Sequence, residues 1–457
     1  MTSEQIRAWT PYPLVKDGLT PLARASQRLE KTGQWAPWQM MGRRFPIGCV
    51  ALEITQRCNL DCTYCYLSES SEALKDIPLE EVFRRIDLIH AHYGDNTDVQ
   101  VTGGDPTLRK RHELVAIVRY IKRKNMRSSL FTNGIKATRD LLEELCEAGL
   151  EDVAFHVDMT QERRGYRSEV ELNAIRQEYI ERARGLPLSV FFNTTVYPGN
   201  FHDIPGLVGF FVRNCDVVRL AAFQTGAASG RGVERERVAV TPDTVQAAVE
   251  QGAGVPLRFD VAAGGHRDCN RYGFSLVIAG RVYDGFANAA LVQELLHESG
   301  AAGFARANRP LLFAQMLGFL AMRPRLLAGA IAEVGRLLGK AWRDLLVARG
   351  RIGKLSFHLH NFQDAQRLDP ERCAACTFMV MTPEGPLSMC IHNAKRDDYL
   401  LVASQVRKEG VIKFWDPVSG QLQDQKPQPM EVNLTRKNAR GLAKAELAVR
   451  RARAPNV

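Results

Sequence analysis

A chain of 457 residues, 45% apolar and 25% charged, is too long for one minimal core and too apolar to be disordered, so it reads as roughly two or three folded domains. The N-terminus lacks the basic-then-apolar order of a secretory signal. The ten cysteines are therefore expected in a reducing, cytoplasmic setting, where clustered thiols mean metal or redox chemistry rather than a disulfide framework. The net charge of +10 asks for an anionic partner, and it is concentrated: between Gly300 and Lys354 ten Lys/Arg stand against two acids, Glu333 and Asp344.

Residues 1–45, with Pro11, Pro13, Pro21 and Pro37, read as an irregular N-terminal extension. From about residue 48 short β-branched or aromatic runs alternate with segments of helical periodicity. The expected strands are 50–55, 98–102, 128–132, 152–157, 188–195 and 216–223, and the helical segments between them include PLEEVFRRIDLIHAHY, HELVAIVRYIKRKN and RDLLEELCEAG. Such alternation implies parallel strands joined by crossovers, hence an α/β fold in which a partial (β/α)6 barrel occupies residues 46–240. In barrels of this type the active site lies at the C-terminal ends of the strands. Residues 241–430 are expected to form a C-terminal auxiliary, partly helical domain, and 431–457 a basic tail.

The turn after the first strand reads CNLDCTYC and places Cys58, Cys62 and Cys65 at C-x3-C-x2-C. A loop of this length can present three thiolates to one side of an iron–sulfur cluster, leaving one iron of a cubane without a protein ligand. A structural zinc would want a fourth Cys or His nearby, and none follows the loop in the twenty-odd residues before His90. Farther along, Cys373 and Cys376 form a C-x2-C pair, with Cys390 after it and Cys269 upstream. These four can hold a second iron–sulfur cluster or a zinc, with His266, His358, His360 and His392 near them in the chain. Cys49, Cys146 and Cys215 fall in or beside strands and helices and read as small buried hydrophobes.

CNLDCTYC, followed by VTGGDPTL (101–108) after the second strand and FTNG (131–134) after the third, resembles the radical S-adenosylmethionine superfamily. That resemblance implies a 4Fe-4S cluster on Cys58, Cys62 and Cys65. It further implies S-adenosylmethionine on the open iron, a 5′-deoxyadenosyl radical that takes hydrogen from a substrate, and a reductant such as flavodoxin or ferredoxin. It places Tyr64 beside the adenine and Gly103 and Gly104 against the methionine ammonium. Asp105 stands where the family usually has Glu, and as the shorter carboxylate it acts through water or orients the loop. Asn133, His156, Asp158 and Asn193 are candidates for ribose, carboxylate or substrate contacts. The superfamily's C-terminal auxiliary clusters favour iron–sulfur over zinc on Cys269, Cys373, Cys376 and Cys390.

The segment CTFMVMTPEGPLSMCIHN (376–393), with GGDPTLR, resembles the tetraether lipid synthase group, although residues 1–48 lack that group's N-terminal C-x2-C pairs. The substrate expected from this is a lipid or other long apolar molecule, with peptide modification as the alternative. An iron–sulfur electron carrier or sensor is the reading from another class, and the GGDP and FTNG turns speak against it. Phe313, Met316, Leu317 and Leu320, then Leu327, Ile331, Val334, Leu338, Ala341 and Leu345, follow helical spacing beside Arg306, Arg309, Arg323, Arg325, Arg336, Lys340 and Arg343. This fits either a core-packing helix or an interfacial helix that places the protein peripherally at the inner face of a membrane. The uncharged run 310–322 is too short to span a bilayer. Nucleic acid fits poorly, since basic and aromatic residues are not interleaved.

Overall fold

The computed structural model describes residues 1–34, 48–232, 240–262, 264–300, 302, 304, 309–408 and 410–427. The expected tail at 431–457 and Arg306 lie outside the described residues. Two helices, α1 (Ser3–Ala8) and α2 (Pro21–Glu30), precede the first strand. The alternating region then runs β1 (Cys49–Thr55), α3 (Leu79–Tyr93), β2 (Asp98–Gly103), α4 (Arg111–Arg123), β3 (Arg127–Thr132), α5 (Arg139–Ala148) and β4 (Leu150–His156). It continues with α6 (Asn173–Ala183), β5 (Ser189–Val196), α7 (Ile204–Arg213) and β6 (Val218–Thr225). Each expected strand is present to within about two residues, and β1 to β6 pair in parallel, each with the next.

Alternation along each strand decides which face is which. In β1, Val50, Leu52 and Ile54 join the core that also holds Val82, Ile86 and Ile89 of α3, so Ala51, Glu53 and Thr55 face the other way. A one-residue slip would turn three fully buried side chains out of that core, at about 1.5–3 kcal/mol each, so the register is strongly held. The opposite face carries Gln100, Thr102, Phe131, His156, Phe191 and Leu220, all half-buried.

After α8 (Pro242–Ala253) the chain forms a hairpin of β7 (Asn270–Ile278) and β8 (Arg281–Asp284), then three helices, α9 (Ala289–Ser299), α10 (Arg309–Ala321) and α11 (Pro324–Val347). It then adds β9 (Gly353–Asn361), α12 (Pro370–Ala374), β10 (Phe378–Met381), β11 (Pro386–Ser388) and α13 (Met389–Ala394). Strands β12 (Ser404–Lys408), β13 (Val411–Trp415) and β14 (Leu422–Gln423) make a small separate sheet.

Among the described residues the main sheet has eleven strands in the order β11-β10-β1-β2-β3-β4-β5-β6-β9-β7-β8. β9 lies parallel to β6 at one edge of the six, and β10 lies parallel to β1 at the other. Yet Phe378 of β10 meets His360 of β9 at 4.5 Å between ring centroids and stacks on His358 at 5.6 Å. Side chains from the two flanking strands touch, so the sheet is curled until its sides meet. The segment 353–388, expected within a C-terminal auxiliary domain, thus supplies strands to the same sheet.

The apolar stripe of the α10–α11 region divides. Ala341 (1% exposed) is buried, as is Leu326 (3%) outside the stripe, whereas Phe313 (66%), Ile331 (63%) and Val334 (55%) project outward.

Candidate functional site

Parallel strands end on one side of the sheet, so the turns after β1 to β6 converge there. The loop after β1 is seated by backbone contacts. Gly104 N donates to Thr55 O (2.9 Å) and Asp105 N to Arg57 O (2.8 Å), while Thr63 N donates to Thr160 O (2.8 Å). A Cβ on Gly103 would lie 2.0 Å from Thr55 O, and one on Gly104 2.0 Å from Arg57 O. The glycine pair is therefore required by the approach of the chain to the root of the cysteine loop, beyond any ligand it accommodates.

Cys58, Cys62 and Cys65 are free and half-buried. Asn133, on the turn after β3, donates from Nδ2 to Asn59 Oδ1 (2.6 Å) and sits 4.0 Å from Cys58 Sγ. Tyr64 packs 5.6 Å from Tyr197, between ring centroids, and against Gly226. Tyr66 donates to Gly103 O (2.6 Å). Arg231, with only 5% of its side chain exposed, donates to Leu60 O (3.1 Å) and Glu72 (3.2 Å). Its guanidinium also bears on the Cys65 and Cys58 thiols. A Cβ on Gly232 would meet Cys65 N at 2.5 Å, so the segment after β6 is pressed onto the cysteine loop.

Burial pushes the Cys58 thiol up to about 11 and, together with Cys65 and Asp158, pushes Cys62 well above its ordinary value. Arg231 opposes both shifts. Three clustered thiols, of which Cys58 and Cys62 are costly to ionise alone, beside one fixed cation, suit a cationic metal centre that would hold them as thiolates. Among the described residues no three His, Cys, Asp or Glu side chains are grouped to hold a single metal ion. A lone zinc would bring its sulfurs to about 3.8 Å from one another, whereas a cubane spreads its thiolates over separate irons. Three thiols on one loop match a cluster with one open iron, whereas a structural zinc would ask for a fourth ligand.

Two of the carboxylates expected at the cofactor are used inside the protein. Asp105, fully buried, accepts from Thr107 N (3.0 Å), Thr107 Oγ1, Thr132 Oγ1 (2.9 Å) and Asn133 N (2.8 Å). Asp158, equally buried, accepts from Thr160 N (3.0 Å), Thr160 Oγ1 and Thr195 N (2.8 Å), and its Oδ2 lies 2.6 Å from His156 Nε2. Asp105 and Asp158, both cofactor-side candidates, make the same kind of internal contact. An Asp-x-Thr clasp ties each turn to the end of the next strand, β2 to β3 and β4 to β5. For Asp105 this is the loop-orienting alternative.

His156 stays 37% exposed on the face opposite the core. Burial lowers its pKa, but the Asp158 carboxylate outweighs this and raises it. Asn193, 6% exposed, pairs with His156 in the β4–β5 register.

The second thiol set also converges. Arg372 Nε donates to Cys269 Sγ (3.2 Å), Gln363 Nε2 to Cys373 Sγ (3.5 Å), and the Cys376 thiol to Phe378 O (3.0 Å). Burial, reinforced by the other thiols, raises Cys269 to about 11 and Cys373 to about 12, and raises Cys390 further. Buried His360 and His392 each leave Nδ1 without a hydrogen-bond partner. Cys49 is buried as expected, whereas Cys146 and Cys215 are only half-buried. The N-terminal extension packs here too: Ile6 shares a small core with Cys373, Leu387, Cys390 and Ile391, and Tyr12 N donates to Pro386 O (2.9 Å).

Sequence reasoning missed Arg231, Tyr66 and Arg372. For Arg231 a signal existed, since GAASGRG (226–232) follows the sixth strand, where the strand-end rule directs attention. Tyr66 and Arg372 carry no local signal.

Residues 52–210 match the model of the radical SAM superfamily. The 7,8-dihydro-6-hydroxymethylpterin dimethyltransferase of Methanocaldococcus jannaschii is 29% identical over 44% of this chain and 42% of its own length. A probable GTP 3′,8-cyclase of Pyrococcus abyssi is 34% identical over 36% of this chain and 53% of its own. The PqqA peptide cyclase of Bradyrhizobium diazoefficiens is 30% identical over 35% and 42%. The chain thus spans about half or less of the length of these relatives.

Proposed function

Because residues 52–210 match the radical SAM superfamily, we propose that the chain reductively cleaves S-adenosylmethionine and uses the resulting 5′-deoxyadenosyl radical to take hydrogen from a long apolar substrate, preferably a lipid. The observation that carries this is the seating of Cys58, Cys62 and Cys65 at the end of β1, where Gly103, Gly104, Asn133 and Arg231 converge on one loop. A 4Fe-4S cluster, when bound, supplies the electron for the cleavage. Cys58, Cys62 and Cys65 hold it, and three thiolates leave one position for the amino and carboxyl groups of S-adenosylmethionine. Arg231 favours the ionised thiols. Tyr64 offers an aromatic face for the adenine, while His156 and Asn193 reach toward substrate from the face opposite the core. Cys269, Cys373, Cys376 and Cys390 hold an auxiliary cluster.

The lipid preference is supported by Phe131, Phe191 and Leu220, half-buried on the inner face of the curled sheet, and by the resemblance of 376–393 to the lipid-joining group. Peptide modification is the second reading, favoured by the similarity to peptide cyclases. Anaerobic reconstitution followed by assay of 5′-deoxyadenosine tests the chemistry. The intact reduced protein is expected to form it and Cys58→Ala to form none, and no product from the intact protein would sink the proposal. Deuterium carried into deoxyadenosine from a perdeuterated lipid supports the lipid reading, whereas transfer only from a deuterated peptide replaces it.

A further inference from the structure

The outward face of α10 and α11 takes no part in the proposed chemistry. On α11, Ile331, Val334, Leu338 and Trp342 recur at three- and four-residue spacing and are 63%, 55%, 48% and 52% exposed. On α10, Phe313 and Leu317 are 66% and 50% exposed, and Met322 at the bend is 79% exposed. These residues are not an unfinished core. The same α11 packs against the protein through Leu326 and Ala341, and Gly329 abuts Leu291 of α9. An exposed apolar face of this extent marks an interaction site.

Charge identifies the occupant. The two acids of α11 are occupied within the protein: Glu333 pairs with Arg336, and Asp344 accepts from Tyr283 and lies 3.6 Å from Arg281. Arg325, Lys340 and Arg343 remain exposed on the polar side of the same helix. An exposed apolar face with Lys and Arg on the polar side of the same helix matches an in-plane helix at the acyl boundary and headgroups of an anionic bilayer. No single described helix is long and apolar enough to cross a membrane, and the α10–α11 pair is bent by 118°. Charges at 333, 336, 340, 343 and 344 along α11 make a span costly and favour an in-plane position.

We propose that α10 and α11 are an in-plane docking surface for an anionic phospholipid bilayer, with Ile331, Leu338, Trp342 and Phe313 entering the acyl boundary and Arg325, Lys340 and Arg343 at the headgroups. This does not depend on the radical chemistry. The test is co-sedimentation of the full chain with phosphatidylcholine vesicles, with and without phosphatidylglycerol, at low and high salt. Binding to the anionic vesicles is expected to fall at least about ten-fold in Leu338→Glu. It is expected to fall about a hundred-fold in Arg325→Gln/Lys340→Gln/Arg343→Gln at low salt. Both variants alter exposed side chains, and circular dichroism checks their fold. Failure of the wild type to bind anionic vesicles overturns the proposal, as does binding unchanged by Leu338→Glu. Self-association without vesicle binding, abolished by Leu338→Glu, overturns it in favour of a second copy. Deoxyadenosine formation without vesicles is expected to be the same in all three proteins, which keeps failure of docking distinct from failure of the chemistry.

Discussion

Asp105 and Asp158 solve one problem twice. A strand end in a parallel sheet leaves backbone donors without a partner, and each Asp-x-Thr clasp supplies a buried carboxylate to its own turn and to the neighbouring strand end. Removing such a carboxylate strands several donors, so Asp105→Ala is expected to cost about 3 kcal/mol and Asp105→Asn less, read from urea unfolding of the metal-free protein. The Asp158 and His156 pair adds a pH dependence. His156 is raised, so its contribution is complete below the ordinary imidazole value and lost as pH climbs through the raised one. Burial alone would raise Asp158, but His156 and the hydrogen bonds outweigh it and hold the carboxyl below its ordinary range, so its contribution is lost as pH falls. The stability gap between wild type and Asp158→Asn should therefore be widest at about pH 4 to 6.5 and shrink toward pH 9. A gap that does not move with pH would show that the pair carries no linked proton. The sequence exposed both aspartates as strand-end residues, but not their burial, because D-x-T suits a turn, a ligand site and a clasp alike.

At the scale of elements, the six parallel strands were legible because each is a short apolar run bounded by Gly, Asn or Asp, a signal contained within ten residues. β9 and β10 were not assigned. An alternating run such as KLSFHLH shows that a strand is possible, but pairing with β6 and β1 is a contact across the chain that no local pattern specifies. These two strands close the sheet, and the ring of Phe378 fills the seam against His358 and His360. Phe378→Ala is expected to cost about 2 kcal/mol in urea unfolding, less than a fully buried Phe because this ring is only half-buried. A chain ended after Arg351 loses the strands that flank β1 and β6 and leaves two parallel edges open. It is expected to aggregate rather than elute as a monomer in size-exclusion chromatography.

For the whole molecule, the second thiol set is the feature that distant segments build together. Cys269 precedes β7, Cys373 lies on α12, Cys390 lies on α13, and the N-terminal Ile6 packs on the same small core. Cys373→Ala/Cys376→Ala is expected to lower iron and sulfide by one cluster while 5′-deoxyadenosine formation from the first site persists, and an unchanged iron count would refute the auxiliary site. By itself the sequence determined the ligand loop and its setting. Three thiols within eight residues, a glycine pair and an asparagine after successive apolar runs are all local facts, and local spacing places them at one end of a parallel sheet. Tertiary structure alone decided that Asp105 and Asp158 are clasps, that Arg231 reaches the thiols, and that the apolar stripe of α11 faces outward. Burial depends on what packs against a residue, and that partner lies elsewhere in the chain.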